Sequence, residues 1–277
     1  MTDSPSNLLT AVKGTIVLAG AGKMGGALLA GWLKAGLAAS RIAAIEPQPS
    51  PEISKLATQG LRLNPAPNTL ANVTAVVLAV KPQSFAEAGP QLKPVVKPDT
   101  LVVSIMAGMT IAKIAAACGG AVVRAMPNTP AAIGQGITVA VPASGVSADQ
   151  RAIADALLRA TGAVEWTTDE ALMDAVTAVS GSGPAYVFLL AEELARAGVA
   201  AGLPPELAAR LARETVAGSG ALLKQSAEDA ATLRKNVTSP GGTTEAALKV
   251  LMGQQGLSDL MTRAVAAATR RSQDLAK

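Results

Sequence analysis

The chain has 277 residues, a thinly spread net charge of +4 and no histidine. This length allows a substantial core and predicts two domains. Without histidine, the chain cannot form a Ser-His-Asp triad, an imidazole general base or a Cys/His zinc cluster, so we predict no metal site.

The remaining composition argues against nucleic acid and membrane partners. Aromatic residues make up 2% of the chain and no long Lys/Arg block occurs, so few groups could stack on bases. The most apolar segment, AYVFLLAEELARAG, reaches Glu192 and Glu193 after about ten residues, short of the roughly 20 that span a bilayer. We predict a buried core helix there. A lone cysteine, Cys118, and no signal-type amino terminus predict a cytoplasmic protein.

Short β-branched runs alternate with Ala/Leu-rich helical stretches from Gly14 to Trp166. This rhythm predicts a parallel, doubly wound α/β sheet over residues 1–166, with residues 1–13 as a flexible extension. Two later segments, GITVAV and AVEW, are predicted to add edge strands. The six main predicted strands are TIVLAG, RIAAIE, LRLN, TAVVLAV, TLVVSI and AVVRAM.

After Trp166 the sequence becomes long Ala/Leu/Glu/Arg segments with helical spacing, interrupted at SGSGPA, GLPPE and TSPGG. We predict an all-α domain over residues 167–277. Its small apolar residues allow close helix packing, so this domain is expected to carry an oligomerisation surface.

Three glycines follow the first strand, with Gly20, Gly22 and Gly25 in the spacing G-x-G-x-x-G. The motif needs a strand before it and a helix after it, and both are predicted here. Such a loop lets backbone approach a pyrophosphate at a helix start, which predicts a Rossmann-type dinucleotide site. The alternative is a glycine turn required only for packing.

Glu46 ends the second strand, near the distance of about 20 residues at which Rossmann folds place an acid. A carboxylate there accepts hydrogen bonds from ribose hydroxyls and repels a 2′-phosphate, which favours NADH over NADPH. The alternative is a solvated acid in the loop EPQPSPE.

Polar, Pro and Gly residues also follow strands four, five and six, as AVKPQ, SIMAGMT and RAMPNTPAA. Ligands of open α/β sheets bind at the carboxyl ends of the strands, so the three segments together predict a site. Taken singly, Lys81 could be a solvated loop charge, and Gly108 and Pro127 could be turn formers.

AVSGSGPAYVF superficially matches the G-x-S-x-G elbow of hydrolases. No histidine exists to activate the serine, so we predict instead a turn between helices with Ser182 as a cap.

The stretch NVTSPGGTTEAAL concentrates hydroxyls around a Pro-Gly-Gly break. One interpretation is a helix corner capped by Ser239 or Thr243. The other is an anion site, because a helix start presents unpaired N–H groups and a positive dipole end.

Together these residues resemble the pyrroline-5-carboxylate reductase family: GAGKMG, AVKPQ, RAMPNTP, SGSGPAY and NVTSPGGTT occur in the order of that family. The resemblance implies a Rossmann domain that binds NADPH or NADH and a helical domain that interlocks with another subunit, as a dimer or an assembly of dimers, with the active site between the domains. It implies reduction of 1-pyrroline-5-carboxylate to L-proline, the last step of proline biosynthesis.

The resemblance also implies residue roles. Hydride transfer to a protonated imine needs alignment and charge stabilisation, not an activated nucleophile. The substrate would meet Ser239, Gly242, Thr243 and Thr244, with Thr244 positioning or protonating the ring nitrogen and Ser239 fixing the substrate. The dinucleotide would contact Ala21, Gly22, Lys23, Met24, Val80, Lys81, Ala107 and Asn236, with Asn68 as a weaker correspondence.

Two alternatives share part of this pattern. A β-hydroxyacid dehydrogenase or an imine reductase acting on another ring would share the cofactor half. A dehydrogenase of that kind would be expected to carry a catalytic lysine in the helical domain, where Lys224, Lys235 and Lys249 lie in no obvious motif. A non-catalytic nucleotide sensor would keep only the glycine loop.

Overall fold

Eight strands form one sheet in the structure, a computed structural model that describes residues 9–276. Their order across the sheet is β3-β2-β1-β4-β5-β6-β7-β8, and only the β6–β7 pair is antiparallel. All eight predicted strands are confirmed. The sequence predicts the last two as edge strands, but of these only β8 is an edge strand, and β7 lies between β6 and β8. The strands are β1 (Thr15–Ala19), β2 (Ile42–Ile45), β3 (Arg62–Leu63), β4 (Val73–Leu78), β5 (Leu101–Ser104), β6 (Ala121–Met126), β7 (Gly136–Pro142) and β8 (Gly162–Trp166).

Helices cover both faces of the sheet, because the central strands are apolar on both sides. Helices α1, α2 and α5 contribute to one buried cluster, and α3 and α4 to the other. The Trp32 indole N–H of α1 donates to the Leu157 carbonyl of α5 at 2.8 Å, which joins two helices on the same face. The bounds are α1 (Lys23–Lys34), α2 (Pro51–Ala57), α3 (Pro82–Leu92), α4 (Ile111–Cys118) and α5 (Ala148–Arg159).

The predicted amino-terminal extension is wrong for the residues that the structure describes. Leu9 is fully buried and Val12 nearly so, both within the core that α1 and α5 share. The Arg41 guanidinium donates to the Val12 and Gly14 carbonyls. Burial of two apolar side chains holds this segment against the domain. Residues 1–8 lie outside the described part of the chain.

The boundary between the two compact units lies further along the chain than the predicted domain boundary. The predicted first domain stops at Trp166, where β8 ends. The first compact unit continues through α6 (Met173–Val176) and a π-helical turn at Thr177–Gly181. It also includes the end of the last helix, from Thr269 onward, and the second unit is Ser182–Ala268.

The second unit is helical, as predicted. Helices α7 and α8 pack closely as a pair, and a Cβ on Gly198 would lie 3.2 Å from the Ala208 Cβ, so small residues set the helix separation. The helices are α7 (Gly183–Ala200), α8 (Pro205–Gln225), α9 (Ala230–Asn236), α10 (Thr243–Leu251) and α11 (Leu257–Ala276), of which α11 ends in the first unit.

The prediction that α7 is a buried core helix is wrong for the single chain. None of its residues is buried, and Phe188 is 67% exposed. Further leucines and valines on α8, α10 and α11 are also exposed. The helices of one chain leave this apolar surface uncovered, and exposed apolar patches of this kind mark sites of protein interaction. Within the described residues, no helix combines the length and apolar character needed to cross a membrane.

Cys118 is buried at the end of α4. Its thiol donates to the Ile114 carbonyl at 3.3 Å. Burial raises the pKa of the Cys118 thiol to about 11, and the positive charge of Lys93 offsets only part of that rise. The group is therefore a neutral thiol below that pH, with little nucleophilic thiolate.

We expect the folded chain to resist thiol reagents. At pH 8 the thiolate fraction should be about 100-fold below that of an ordinary thiol, and burial slows access further. Reaction with a chromogenic disulfide, timed before and after denaturation in urea, measures the difference. Equal rates in the two states would show that Cys118 is accessible.

Candidate functional site

The parallel register brings four loops to the same edge of the sheet. Ala19, the last residue of β1, pairs with Ile45 of β2 and with Leu78 of β4, and Leu78 pairs with Ser104 of β5. The segments after these residues begin with Gly20, Glu46, Ala79 and Ile105. Four predicted segments therefore start side by side, as the sequence predicts. They are the glycine loop, the loop that begins with Glu46, the segment that contains Lys81, and the SIMAGMT segment.

The three glycines of the first loop have two different physical roles. Gly20 has φ +92°, and a Cβ there would lie 2.7 Å from the backbone of Ala79 and Val80. A Cβ on Gly25 would collide with the Gly20 carbonyl. Gly22 is different, because a Cβ there would meet nothing within 4 Å and its φ of −66° suits any residue. Packing explains Gly20 and Gly25, but it leaves Gly22 unexplained.

Gly22 is also where α1 begins. It is the N-cap residue, and no side chain caps the helix. The first N–H groups of a helix have no intrahelical acceptor, so the start of α1 has the geometry that binds pyrophosphate. Lys23 and Met24 are the first two helical residues. Beside them is a cleft of about 720 Å³ between α1 and α2, which contains Ala21, Gly22, Lys23 and residues from Gln48 onward.

Glu46 is bound into this loop. Its carboxylate accepts from the Ala21 N–H at 2.7 Å and from the Gln48 N–H at 3.1 Å. The carboxylate thus stands beside the glycine loop and is not a freely solvated acid.

Asn64 belongs to the same arrangement, although no motif in the sequence predicted it. Its side-chain oxygen accepts from the Glu46 N–H at 2.8 Å, and its amide donates to the Glu46 carbonyl at 2.9 Å. Asn64 has φ +48°, a conformation that asparagine tolerates better than most residues. An asparagine at the end of the run LRLN was the available signal.

The other predicted cofactor residues of this unit lie in three different segments, two of them at the same edge of the sheet. Lys81 is the N-cap of α3, and Val80 precedes it. Ala107 lies in the loop between β5 and α4. Asn68 lies in the turn Pro67–Thr69, which packs against Lys93–Val95 at the end of α3 remote from Lys81. Asn68 therefore lies apart from the other predicted cofactor residues.

Two arginines are placed far from this edge. Arg41 donates to the Gly14 carbonyl, just before β1, and Arg62 donates to the Thr15 hydroxyl at 2.9 Å. Both side chains therefore bond at the amino end of β1, opposite the glycine loop. They are not in a position to bind a 2′-phosphate beside Glu46.

The TSPGGTT segment forms the start of α10 in the second unit. Gly242 is the N-cap, and no side chain caps the helix, so the predicted capping by Ser239 or Thr243 does not occur. The Gly242 N–H donates to the Ser239 carbonyl at 3.0 Å, and the Gly241 N–H donates to Glu245 at 2.7 Å. The first-turn N–H groups of Thr243 and Thr244 have no intrahelical acceptor. The anion-site interpretation therefore fits this loop better.

The remaining predicted residues near this segment have other environments. The Asn236 amide donates to Glu228 at 3.0 Å, and Asn236 is exposed. Ser239 is exposed and Thr244 is half-buried. Ser182 occupies the N-cap position of α7 but makes no capping hydrogen bond, so its predicted role is wrong. Across residues 9–276, no three His, Cys, Asp or Glu side chains are grouped to hold a metal ion.

Two family models match the chain. One, described as NADP oxidoreductase coenzyme F420-dependent, matches residues 15–108, and the other, pyrroline-5-carboxylate reductase dimerisation, matches residues 170–275. With the Rossmann sheet and the open glycine loop, these matches define an NAD(P)H-dependent oxidoreductase.

Sequence identity to individual relatives shows which family the chain belongs to. The chain is 41% identical to the pyrroline-5-carboxylate reductase of Pseudomonas aeruginosa over 267 residues, which is 95% of this chain and 97% of the relative. The Synechocystis enzyme is 45% identical over 227 residues, 79% of this chain and 82% of the relative. The chain belongs to the pyrroline-5-carboxylate reductase family.

Solved structures agree. The enzyme from Coxiella burnetii superposes with a TM-score of 0.88 at 34% identity, covering 95% of this chain and 99% of that one. The Plasmodium falciparum enzyme, solved with NADP bound, gives a TM-score of 0.80 at 29% identity, with 95% and 98% covered. The fold predicted from the sequence is confirmed.

We expect Gly22→Ala to fold normally but to lose dinucleotide affinity, because the new methyl group occupies space that only a ligand would fill. The dissociation constant for NADH or NADPH should rise at least about tenfold, a loss of ~1.4 kcal/mol. Fluorescence titration of the reduced nicotinamide measures it. Gly145→Ala is the matched control, since a Cβ there also meets nothing within 4 Å. Equal affinity in both variants would contradict a pyrophosphate site at Gly22.

Proposed function

We propose that the chain reduces 1-pyrroline-5-carboxylate to L-proline with NAD(P)H, the final step of proline biosynthesis. The observation that carries the proposal is the uncapped start of α10, where Thr243 and Thr244 present N–H groups and hydroxyls on the segment TSPGGTT. An anionic substrate fits such a helix start. The relatives of the chain bear the name of this activity.

The substrate carboxylate would bind the N–H groups of Thr243 and Thr244. The family resemblance also implies a contact with Gly242, but the Gly242 N–H already donates to the Ser239 carbonyl. Gly242 would instead contribute by its small size and by leaving the helix start open. The Ser239 hydroxyl, which is exposed, would fix the substrate from the preceding turn.

The dinucleotide would lie on the first unit, with its pyrophosphate at Gly22 and the start of α1. Bound NAD(P)H supplies the hydride that the imine carbon accepts, while the ring nitrogen must carry a proton to become an amine. The Thr244 hydroxyl would position or protonate that nitrogen. Hydrogen bonds from fixed donors and correct alignment are the two contributions that these residues can make.

Thr244→Ala is expected to lower kcat about 100-fold, the lower end of the range for a positioned proton donor. The dissociation constant for the dinucleotide should change little, because Thr244 is assigned to the substrate. Steady-state rates of NAD(P)H oxidation with pyrroline-5-carboxylate give kcat, and fluorescence titration gives the affinity.

Thr262→Ala serves as the control, since that hydroxyl donates to the Ser258 carbonyl in the preceding turn of α11 at 2.8 Å. An unchanged kcat in Thr244→Ala would remove Thr244 from the mechanism. The unmodified chain could oxidise NAD(P)H with a keto acid or another ring but not with this imine. That result would favour the dehydrogenase or the imine reductase. Binding without oxidation would favour the sensor.

We also propose that the chain prefers NADH. Glu46 places a negative charge beside the glycine loop, and Arg41 and Arg62 bond at the opposite end of β1. A 2′-phosphate would therefore meet a like charge without compensation from either arginine. The Plasmodium falciparum relative was solved with NADP, so the preference is a property to be tested in this chain itself.

The variant Glu46→Gln isolates the charge, because its amide oxygen can still accept from the Ala21 N–H. We expect kcat/KM with NADPH to rise about tenfold relative to NADH. Glu87→Gln, an exposed acid on α3, is the control. A strong NADPH preference in the unmodified chain, or no change in Glu46→Gln, would contradict this role of Glu46.

We also propose a second copy of the chain as the partner, and the cytoplasm as the compartment. The exposed apolar surface of α7, α8, α10 and α11 coincides with the residues matched by the dimerisation model. A second copy of the chain would cover it, giving a dimer or an assembly of dimers. A buried, lone cysteine is compatible with the cytoplasm, where we place the protein.

A further inference from the structure

The loop between β5 and α4, residues 105–110, carries Ala107. Its hydrogen bonds to the sheet lie at its start, and Met106 and Met109 pack in the buried cluster that α3 and α4 share. The Ile105 N–H donates to the Leu78 carbonyl at 3.0 Å, and the Met106 N–H donates to the Ser104 hydroxyl at 3.3 Å. After that the backbone turns through Gly108, at φ +72°. The position of Ala107 thus depends on this packing and on the contacts that hold Gly108 and the start of α4.

One support comes from Glu170, in the turn that follows β8. Its Oε1 accepts from the Ile111 N–H, the first residue of α4, at 2.9 Å. The same oxygen accepts from the Arg124 guanidinium at 2.9 Å. Arg124 is 5% exposed and pairs with Ser104 in the sheet register. A buried cation that is fixed in β6 therefore fixes Glu170, and Glu170 fixes the far end of the loop.

A second support comes from the end of α11. The Ser272 hydroxyl, which is 4% exposed, donates to the Asp174 carboxylate at 2.6 Å. Leu275, one turn further, lies against Gly108: a Cβ on Gly108 would be 3.3 Å from the Leu275 Cβ and 3.5 Å from its carbonyl atoms. The hydrogen bond to Asp174 thus anchors the helix turn that contacts the middle of the loop.

We propose that Glu170 and the last turn of α11 are positioning elements that hold the 105–110 loop in the conformation that binds the dinucleotide. Both supports belong to the first compact unit, yet both lie outside the sheet that carries the loop. The proposal rests on the proposed function only through the dinucleotide contact of Ala107. Neither Glu170 nor Ser272 is assigned to the substrate or to the hydride transfer.

The test compares dinucleotide affinity in full-length variants. Glu170→Ala removes the acceptor of the Ile111 N–H, and Glu170→Gln keeps an acceptor but loses the charge. Ser272→Ala releases the end of α11, and Gln273→Ala, an exposed neighbour on the same turn, is the control. Dissociation constants for NADH and NADPH are measured by fluorescence titration without substrate, beside melting temperatures at one protein concentration.

The expected result is a graded loss of affinity. The dissociation constant should rise about tenfold in Glu170→Ala, less in Glu170→Gln, about threefold in Ser272→Ala, and less than twofold in the control. With pyrroline-5-carboxylate present, KM for the dinucleotide should rise by the same factors, and KM for the imine should change less.

Two results would overturn the proposal. One is an affinity within twofold of the unmodified chain in folded Glu170→Ala and Ser272→Ala. The other is an equal loss in Gln273→Ala, which would reveal general destabilisation. If Glu170→Ala does not fold, Ser272→Ala and Asp174→Asn decide the question in the same way. Because binding is measured without substrate, absence of pyrroline-5-carboxylate reduction by the unmodified chain would reject the proposed function and leave this test intact.

Discussion

The constraint on which the rest of the structure depends is the close approach of backbone at the carboxyl end of β1. Gly20 lies where a Cβ would be 2.7 Å from the backbone of Ala79 and Val80, so the β1 and β4 loops can be neighbours only with glycine there. The level register of β2, β1, β4 and β5 then aligns four loops. Every predicted cofactor contact of the first unit except Asn68 lies in those loops or at the start of α1. The sheet thus acts as a rigid frame for segments that are not themselves regular.

Apart from α6, which continues directly from the turn Glu170–Leu172, and α11, the helix starts divide into two groups that differ in how their N–H groups are satisfied. Side chains cap α2, α4, α5 and α9, and proline at the first turn removes a donor from α3, α7 and α8. Helices α1 and α10 begin at glycine with neither device. These two starts are the ones assigned to the pyrophosphate and to the substrate carboxylate. Unsatisfied donors are thus kept where an anionic ligand would complete them.

The second unit exposes many large apolar side chains. α7 buries none of its residues within one chain, although its sequence is that of a core helix. A sequence pattern records only that a side chain must leave water, and it does not record which chain covers it. The dimerisation model that matches residues 170–275 offers a consistent explanation, since a second copy would turn exposed leucines into a core.

The sequence by itself determined the elements: eight strands from β-branched runs, the glycine loop from its spacing, and the TSPGG break that precedes α10. These are local, because periodicity and turn residues act over a few positions. Only the tertiary structure decided the burial of Leu9, the bonding of Asn64 to Glu46, the opposite-edge position of Arg41 and Arg62, and the support of the 105–110 loop by Glu170 and α11. Those contacts join residues far apart in the chain, and no local pattern specifies which distant backbone group a side chain will meet.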